Sequence, residues 1–139
     1  MADRGSGASG EMAELHPGDE QVYEFIAAEI ESVPHLEALL LLWNSRPQPW
    51  TVENLSQRLY VPAELARKLM EDLARQRLVA QVAGPPAGYR YESERDQLIA
   101  TVDGTYRREV VRISTMIHRK PSAALSEFAK AFRFTKERK

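Results

Sequence analysis

The stretch TVENLSQRLYVPAELARKL, residues 51–69, decides the fold of this chain. Thr51 is a favourable helix N-cap residue, and Val52, Leu55 and Leu59 follow it at helical spacing. After a short interruption a second helical pattern begins and continues beyond the quoted stretch. The apolar residues of this second pattern predict a buried stripe made of Leu65, Ala66, Leu69, Met70 and Leu73. The segment therefore predicts two helices that pack face to face across a tight turn.

The sequence on either side of this helix pair predicts a small hairpin and two further helices. Residues 78–82 form an apolar run typical of a strand, residues 84–88 are rich in glycine and proline, and residues 89–91 return as a second strand. Upstream, helical spacing indicates one helix that ends near Pro34 and another over residues 35–44. The second of these contains too many leucines for a single stripe, so we expect other elements to cover it on several sides.

Beyond the hairpin, the sequence predicts one long helix over about residues 94–118. Its apolar side chains recur three and four residues apart, at nearly coiled-coil spacing, and are Ile99, Val102, Tyr106, Val110, Ile113 and Ile117. Gly104, in the middle of this helix, costs about 1 kcal/mol relative to alanine and allows a break there. The apolar stripe predicts either a homodimer interface or a face that packs on the chain's own domain.

The chain is therefore expected to be mostly α-helical, with a small β-hairpin and flanking N- and C-terminal helices. We divide it into a flexible tail (1–18), a central domain with its N-terminal helix (19–92), the long helix (93–120), and a basic C-terminal helix and tail (121–139). Pro121 ends the long helix, and Ser122 is placed to cap the last one.

Composition and terminal sequence indicate a soluble intracellular domain. The chain has 139 residues, 43% hydrophobic and 28% charged, which is enough apolar material for a core. The lack of cysteine excludes disulfides and thiolate chemistry. No apolar run approaches the length of a membrane span, and the N-terminus lacks the apolar core of a signal peptide. We therefore expect a cytoplasmic protein that does not bind membranes.

Patterns that carry catalysis are missing from the sequence. His16, His35 and His118 are far apart and lack the spacing of metal ligands. The serines have no nucleophile-elbow context, and no glycine-rich loop is placed to hold a phosphate. We expect no enzyme activity, no cofactor and no metal site.

Charge is distributed unevenly along the chain. Residues 1–60 carry ten acids and three bases, whereas residues 105–139 carry three acids and ten bases. A basic end of this kind is suited to nucleic acid or to an acidic partner. Alternatively, it is a solvated helix face that is attracted to the acidic N-terminal half of the same chain.

The order helix, short helix, tight turn, helix and hairpin, together with residues 51–69, resembles the winged helix-turn-helix superfamily. The continuation from Glu71 to Val79 resembles the way in which such domains leave the recognition helix and enter the wing. The resemblance covers about residues 33–91 and points to small bacterial transcription regulators. It implies a DNA-binding transcription regulator, commonly a homodimer joined through helices outside the wing domain.

By this resemblance Arg67 and Lys68 would meet the DNA major groove, Thr51 would contact a phosphate, and Arg90 would approach the backbone from the wing. The recognition helix carries as many acids as bases, however, so Arg67 and Lys68 could instead pair with neighbouring glutamates at helical spacing. Winged helices also serve as protein-binding modules, and the basic C-terminal segment is a second place where a protein partner could bind.

Overall fold

The computed structural model describes residues 16–120, and within them the predicted fold class is confirmed. The elements are α1 (Asp19–Glu29), α2 (Val33–Asn44), α3 (Val52–Leu59), α4 (Ala63–Arg75), β1 (Val79–Val82), β2 (Gly88–Tyr91), α5 (Asp96–Arg108) and α6 (Val110–His118). They form a winged helix-turn-helix with flanking helices. Most of the predicted N-terminal tail, and the whole predicted C-terminal helix over 121–139, lie outside the described residues.

Local hydrogen bonds fix the helix-turn-helix. The Thr51 hydroxyl accepts a hydrogen bond from the Asn54 amide at 3.0 Å, which confirms Thr51 as the N-cap of α3. Tyr60 ends α3 in the left-handed conformation, with φ 59° and ψ 46°. The Ser56 hydroxyl then donates to the Val61 carbonyl at 2.6 Å, and the Val61 amide donates back to the Ser56 carbonyl at 3.1 Å. These bonds set the angle at which α4 leaves the turn.

Helix α2 is the centre of the core, as its surplus of leucines predicts. It packs against α3, α4, β2, α5 and α6. The side chains of Leu36, Leu39 and Leu42 are fully buried. Because neighbours surround the helix on several sides, apolar residues outside a single stripe are also removed from water.

The wing is a two-stranded antiparallel hairpin in which Val79 pairs with Tyr91 and Val82 with Gly88. It is joined to the start of α3 through the backbone, because the Trp50 amide donates to the Tyr89 carbonyl at 2.7 Å and the Tyr89 amide donates to the Trp50 carbonyl at 2.8 Å. Gly88 makes this approach possible, since a Cβ atom there would lie 2.4 Å from the Trp50 carbonyl oxygen. The wing and the N-terminus of α3 are therefore one connected unit.

The predicted long helix over 94–118 is wrong in one respect: the structure divides it into α5 and α6. The break falls at Glu109, with φ −126° and ψ 45°, and Gly104 remains helical. The break lets α6 turn back and pack on α1 and α2. At the end of α6, the Lys120 ammonium donates to the Ile26 and Ile30 carbonyls at 2.8 and 2.6 Å, at the C-terminal end of α1.

This return path buries most of the stripe that was predicted as a dimer interface. Four members of the stripe, namely Ile99, Val102, Ile113 and Ile117, are at most 2% exposed within a single chain. They pack in the chain's own core, as the second of the two predictions for this stripe expects. Tyr106 is half-buried and its hydroxyl donates to Glu37 at 3.5 Å, and Val110 remains 44% exposed.

A buried carboxylate joins the start of α1 to the end of α5. Asp19 is 2% exposed, and its Oδ1 atom accepts from Arg108 at 2.9 Å and from the Thr105 hydroxyl at 3.0 Å. Its Oδ2 atom accepts from the His16 amide at 2.9 Å. Burial raises the pKa of Asp19, but these hydrogen bonds and the Arg108 charge lower it by a larger amount. The net pKa of Asp19 therefore lies below 3.8, the ordinary value of an aspartate.

We expect opposite effects from alanine at two glycines. Gly88→Ala should lower the free energy of unfolding by about 1–3 kcal/mol, because the new methyl group meets the Trp50 backbone. Gly104→Ala should raise it by about 1 kcal/mol, because within residues 16–120 nothing outside the helix's own backbone lies within 4 Å of the added Cβ. Urea unfolding of both variants measures the difference. A Gly88→Ala protein as stable as the natural chain would contradict the close approach.

Asp19 should make stability depend on pH in the acid range. Since its folded-state pKa lies below 3.8, its contribution is complete above that value and is lost as pH falls through the folded-state pKa. Thermal unfolding of the natural chain and of Asp19→Asn measures this. The difference in Tm should be large at neutral pH and should shrink on acidification. A difference that stays constant down to pH values below the folded-state pKa would show that the charge on Asp19 does not contribute.

Candidate nucleic-acid interface

Helix α4, the recognition helix of the fold, buries one face and exposes another. Ala66, Leu69, Met70 and Leu73 are at most 1% exposed, as their spacing predicts. Leu65 is 36% exposed, so its predicted burial is wrong: it lies about 100° around the helix from Ala66, at the edge of the stripe. The residues that face solvent are Ala63, Glu64, Leu65, Arg67, Lys68, Glu71 and Arg75.

The charged residues of this exposed face differ in their partners. Within residues 16–120, Arg67 makes no ion pair and is exposed. Lys68 donates to Asp72 at 3.1 Å, and Arg75 also pairs with Asp72. The expectation that Lys68 pairs with a neighbouring glutamate is corrected, because its partner is the aspartate that follows Glu71.

Asp72 is the buried acid of α4. It is 7% exposed, and its Oδ2 atom lies 2.7 Å from His35 Nε2 on α2. Burial raises the pKa of Asp72, but the hydrogen bonds from His35 and Lys68 outweigh burial and hold the pKa below 3.8. The carboxylate is therefore ionised at neutral pH, and the His35 Nε2–H group donates to it. This contact joins the recognition helix to the central helix of the core.

The two other predicted DNA contacts lie where the wing meets α3. Thr51 is half-buried, and its hydroxyl is already used as a helix cap. Arg90 on β2 is exposed and donates to Glu92 at 3.2 Å. Both residues are one position away from the paired Trp50 and Tyr89. The backbone pairing thus fixes Thr51 and Arg90 at one edge of the wing, while Arg67 and Lys68 share the exposed face of α4.

Solved structures of MarR-family proteins have the same winged helix-turn-helix fold. A MarR family protein from Bacillus stearothermophilus matches with a TM-score of 0.51 at 18% identity, over 99% of this chain and 97% of that one. MepR, a transcription regulator of the Staphylococcus aureus multidrug efflux pump MepA, matches with 0.53 at 13% identity, over 95% and 96%. A MepR–DNA complex from the same organism matches with 0.53 at 12% identity, over 98% and 96%. No protein-family model matches the sequence, and neither does any curated protein.

The sequence alone misses the contact between His35 and Asp72. These residues are 37 positions apart, on helices that are separated by α3. Their local surroundings give one hint each: His35 interrupts an apolar run, and Asp72 stands next to the buried stripe.

The part of the chain from residue 16 to residue 120 contains no helix that is long and apolar enough to cross a membrane.

Proposed function

We propose that this protein is a DNA-binding transcription regulator that acts in the cytoplasm through its winged helix-turn-helix. The observation that carries the proposal is the exposed face of α4, where Arg67 is unpaired among the described residues and Lys68 and Arg75 stand beside it. A recognition helix needs such donors for base edges and phosphates. The structural likeness to MepR, which has been solved in complex with DNA, also supports the proposal that this protein binds DNA.

The mechanism is positional and involves no chemical step. Helix α4 enters the major groove, and Arg67 donates to a base edge or a phosphate. Lys68 and Arg75, with side chains 61% and 68% exposed, exchange Asp72 for phosphate oxygens. Arg90 leaves Glu92 for the DNA backbone, at a cost of about 0–1 kcal/mol because the ion pair is exposed. Binding at a promoter then blocks or assists transcription.

The N-terminus of α3 supplies the remaining phosphate contact in this proposal. Free amide groups and the positive end of the helix dipole favour an anion at that position. Thr51 stands at this end, and the backbone pairing between Trp50 and Tyr89 holds it in a fixed relation to the wing. The α3 terminus and the wing strand therefore present their contacts as one unit.

A second candidate function is a winged-helix module that binds another protein. Two exposed apolar side chains near the start of α4 favour this function, because a protein partner could cover them. They are Tyr60, which is 92% exposed, and Leu65, which is 36% exposed. Glu64 and Glu71 on the same face repel phosphates and are compatible with a protein partner. The basic C-terminal segment, the other predicted partner site, lies outside the described residues.

We further propose that the regulator is a homodimer, so that two recognition helices reach successive major grooves. The buried stripe of α5 and α6 does not supply the interface in this conformation. The exposed apolar residues at the start of α6 are better placed for it, since Val110 is 44% and Val111 is 78% exposed. Within residues 16–120, these two neighbouring apolar side chains remain largely uncovered.

DNA binding is tested by fluorescence anisotropy with a random-sequence duplex across a salt series. Affinity should be strongest near about 50 mM salt and should fall steeply towards about 200 mM, as phosphate contacts require. Changing Arg67→Ala together with Lys68→Ala should weaken binding by about tenfold or more. Arg107→Ala is the matched control, because it removes an exposed arginine from α5.

Two results would contradict the DNA proposal or its site. Absence of binding at about 50 mM salt would refute it, since nonspecific affinity is greatest at low salt, and would leave the protein-binding module. Equal loss of affinity in the Arg107→Ala control would show that the recognition helix is not the contact surface.

The dimer is tested by sedimentation of the full chain. We expect the natural protein to sediment as a dimer and Val111→Lys to shift it towards the monomer, because a charge at the apolar contact cannot be buried without a partner. Ala100→Lys, at an exposed position on α5, should leave the dimer unchanged. A natural chain that remains monomeric at high concentration would refute the homodimer.

A further inference from the structure

Three side chains that bind metals well meet behind the recognition helix. They are Glu31 between α1 and α2, His35 on α2 and Asp72 on α4, and one ligand atom from each lies within 4.8 Å of the other two. His35 and Asp72 are buried, and Glu31 is half-buried at the edge of the group. Here a histidine and a carboxylate four residues apart meet a second carboxylate 37 positions from the histidine, and two of the three side chains are buried, so this is more than a cluster of surface acids.

We propose that Glu31, His35 and Asp72 form a binding site for one divalent transition-metal ion of the zinc type, which regulates the recognition helix. One imidazole and two carboxylates are the ligands of such ions, and the imidazole disfavours magnesium and calcium. The donor set is open, because three protein ligands leave a coordination position for water.

The distances require only small movements. Ligand atoms about 2.0–2.1 Å from a tetrahedral zinc ion lie about 3.3 Å apart. His35 Nε2 and Asp72 Oδ2 are now 2.7 Å apart and would separate by roughly half an ångström. Glu31 must approach by up to about 1.5 Å, which a half-buried side chain achieves by a change of rotamer. The Lys120 ammonium lies close enough to the Glu31 carboxylate to be affected by its charge and stays on the α1 carbonyls.

Ser32 supports the histidine in both states. Its hydroxyl oxygen lies 2.6 Å from His35 Nδ1, on the side of the ring away from Asp72. Without metal, the hydroxyl donates to Nδ1 while Nε2–H donates to Asp72. With metal, the proton resides on Nδ1 and is donated to the Ser32 oxygen, which leaves the Nε2 lone pair for the ion. The imidazole carries one proton in both states: Nε2 gives its proton to solvent when the ion binds, Nδ1 takes one up from solvent, and the Ser32 hydroxyl rotates from donor to acceptor.

Occupancy of the site would change the exposed face of α4. Lys68 and Arg75 now form ion pairs with the Asp72 carboxylate. A divalent ion bound to this carboxylate would neutralise its charge in place of the two cations. Both side chains are more than half exposed, so they can turn to solvent once Asp72 is occupied. This second step rests on the proposed function: the two released cations would become available for DNA phosphates.

The site is tested by isothermal titration calorimetry of the full, untagged chain with zinc chloride and with magnesium chloride. We expect one equivalent of zinc to bind at least tenfold more tightly than magnesium. Glu31→Gln and His35→Gln should each weaken zinc binding at least tenfold. The glutamine at position 35 keeps a donor for Asp72 and removes the imidazole, and circular dichroism checks that each variant is folded. His16→Gln, which removes an exposed histidine outside the group, should bind zinc like the natural chain.

Any one of three results would overturn the site. Both site variants could retain zinc binding, the His16→Gln control could lose it, or the natural chain could fail to bind zinc.

The effect of zinc on DNA binding is measured separately, as the anisotropy of a DNA duplex with and without zinc. Zinc should raise DNA affinity in the natural chain but not in Lys68→Ala combined with Arg75→Ala. If zinc binds at the site but leaves DNA affinity unchanged, the regulatory coupling is refuted and the site stands. If DNA does not bind under any condition, the proposed function fails and calorimetry still decides the site.

Discussion

Burial of α2 is the constraint on which the rest of the structure depends. A helix with apolar residues around most of its circumference is stable in water only when other elements surround it. Here α3, α4 and β2 cover it from the helix-turn-helix, and α5 and α6 cover it from the C-terminal part. The need to cover α2 therefore joins the winged helix and the flanking helices into one core. It also explains why the apolar stripe of α5 and α6 turns inward.

Periodicity in the sequence was sufficient for the central part of the fold. The N-cap at Thr51, the spacing of Leu55 and Leu69 and the glycine-proline turn are local signals, and each is confirmed. The break at Glu109 had no such signal, because it depends on where α6 can reach α1 and α2. The exposure of Leu65 likewise depends on which part of α4 is covered. Contacts with elements distant in sequence determine both the position of this break and the exposure of Leu65. The residue pattern within one segment carries no information about such contacts.

The candidate site divides in the same way. The sequence predicted which cations stand on α4, since helical spacing alone places Arg67 and Lys68 outside the buried stripe. It did not predict how Asp72 shares its charge with His35, Lys68 and Arg75, because His35 lies on a distant helix. The count of charges on α4 is neutral, but their arrangement is not uniform: one acid is turned inward together with a histidine. The electrostatic character of the exposed face thus depends on a residue outside the helix-turn-helix.

The contact of Lys120 with the end of α1 has a consequence for how the chain folds. Its ammonium reaches carbonyls 90 and 94 positions earlier in the sequence, so the first and last described helices are neighbours. The helix-turn-helix and the hairpin form from contacts between segments close in sequence, but α1 finds its partners α5 and α6 only across the whole domain. Contacts of such long range slow folding because the loop must close first. During synthesis, the apolar face of α1 is therefore covered only after nearly the entire domain, including α5 and α6, has been made. Until then, this exposed face can associate with other chains.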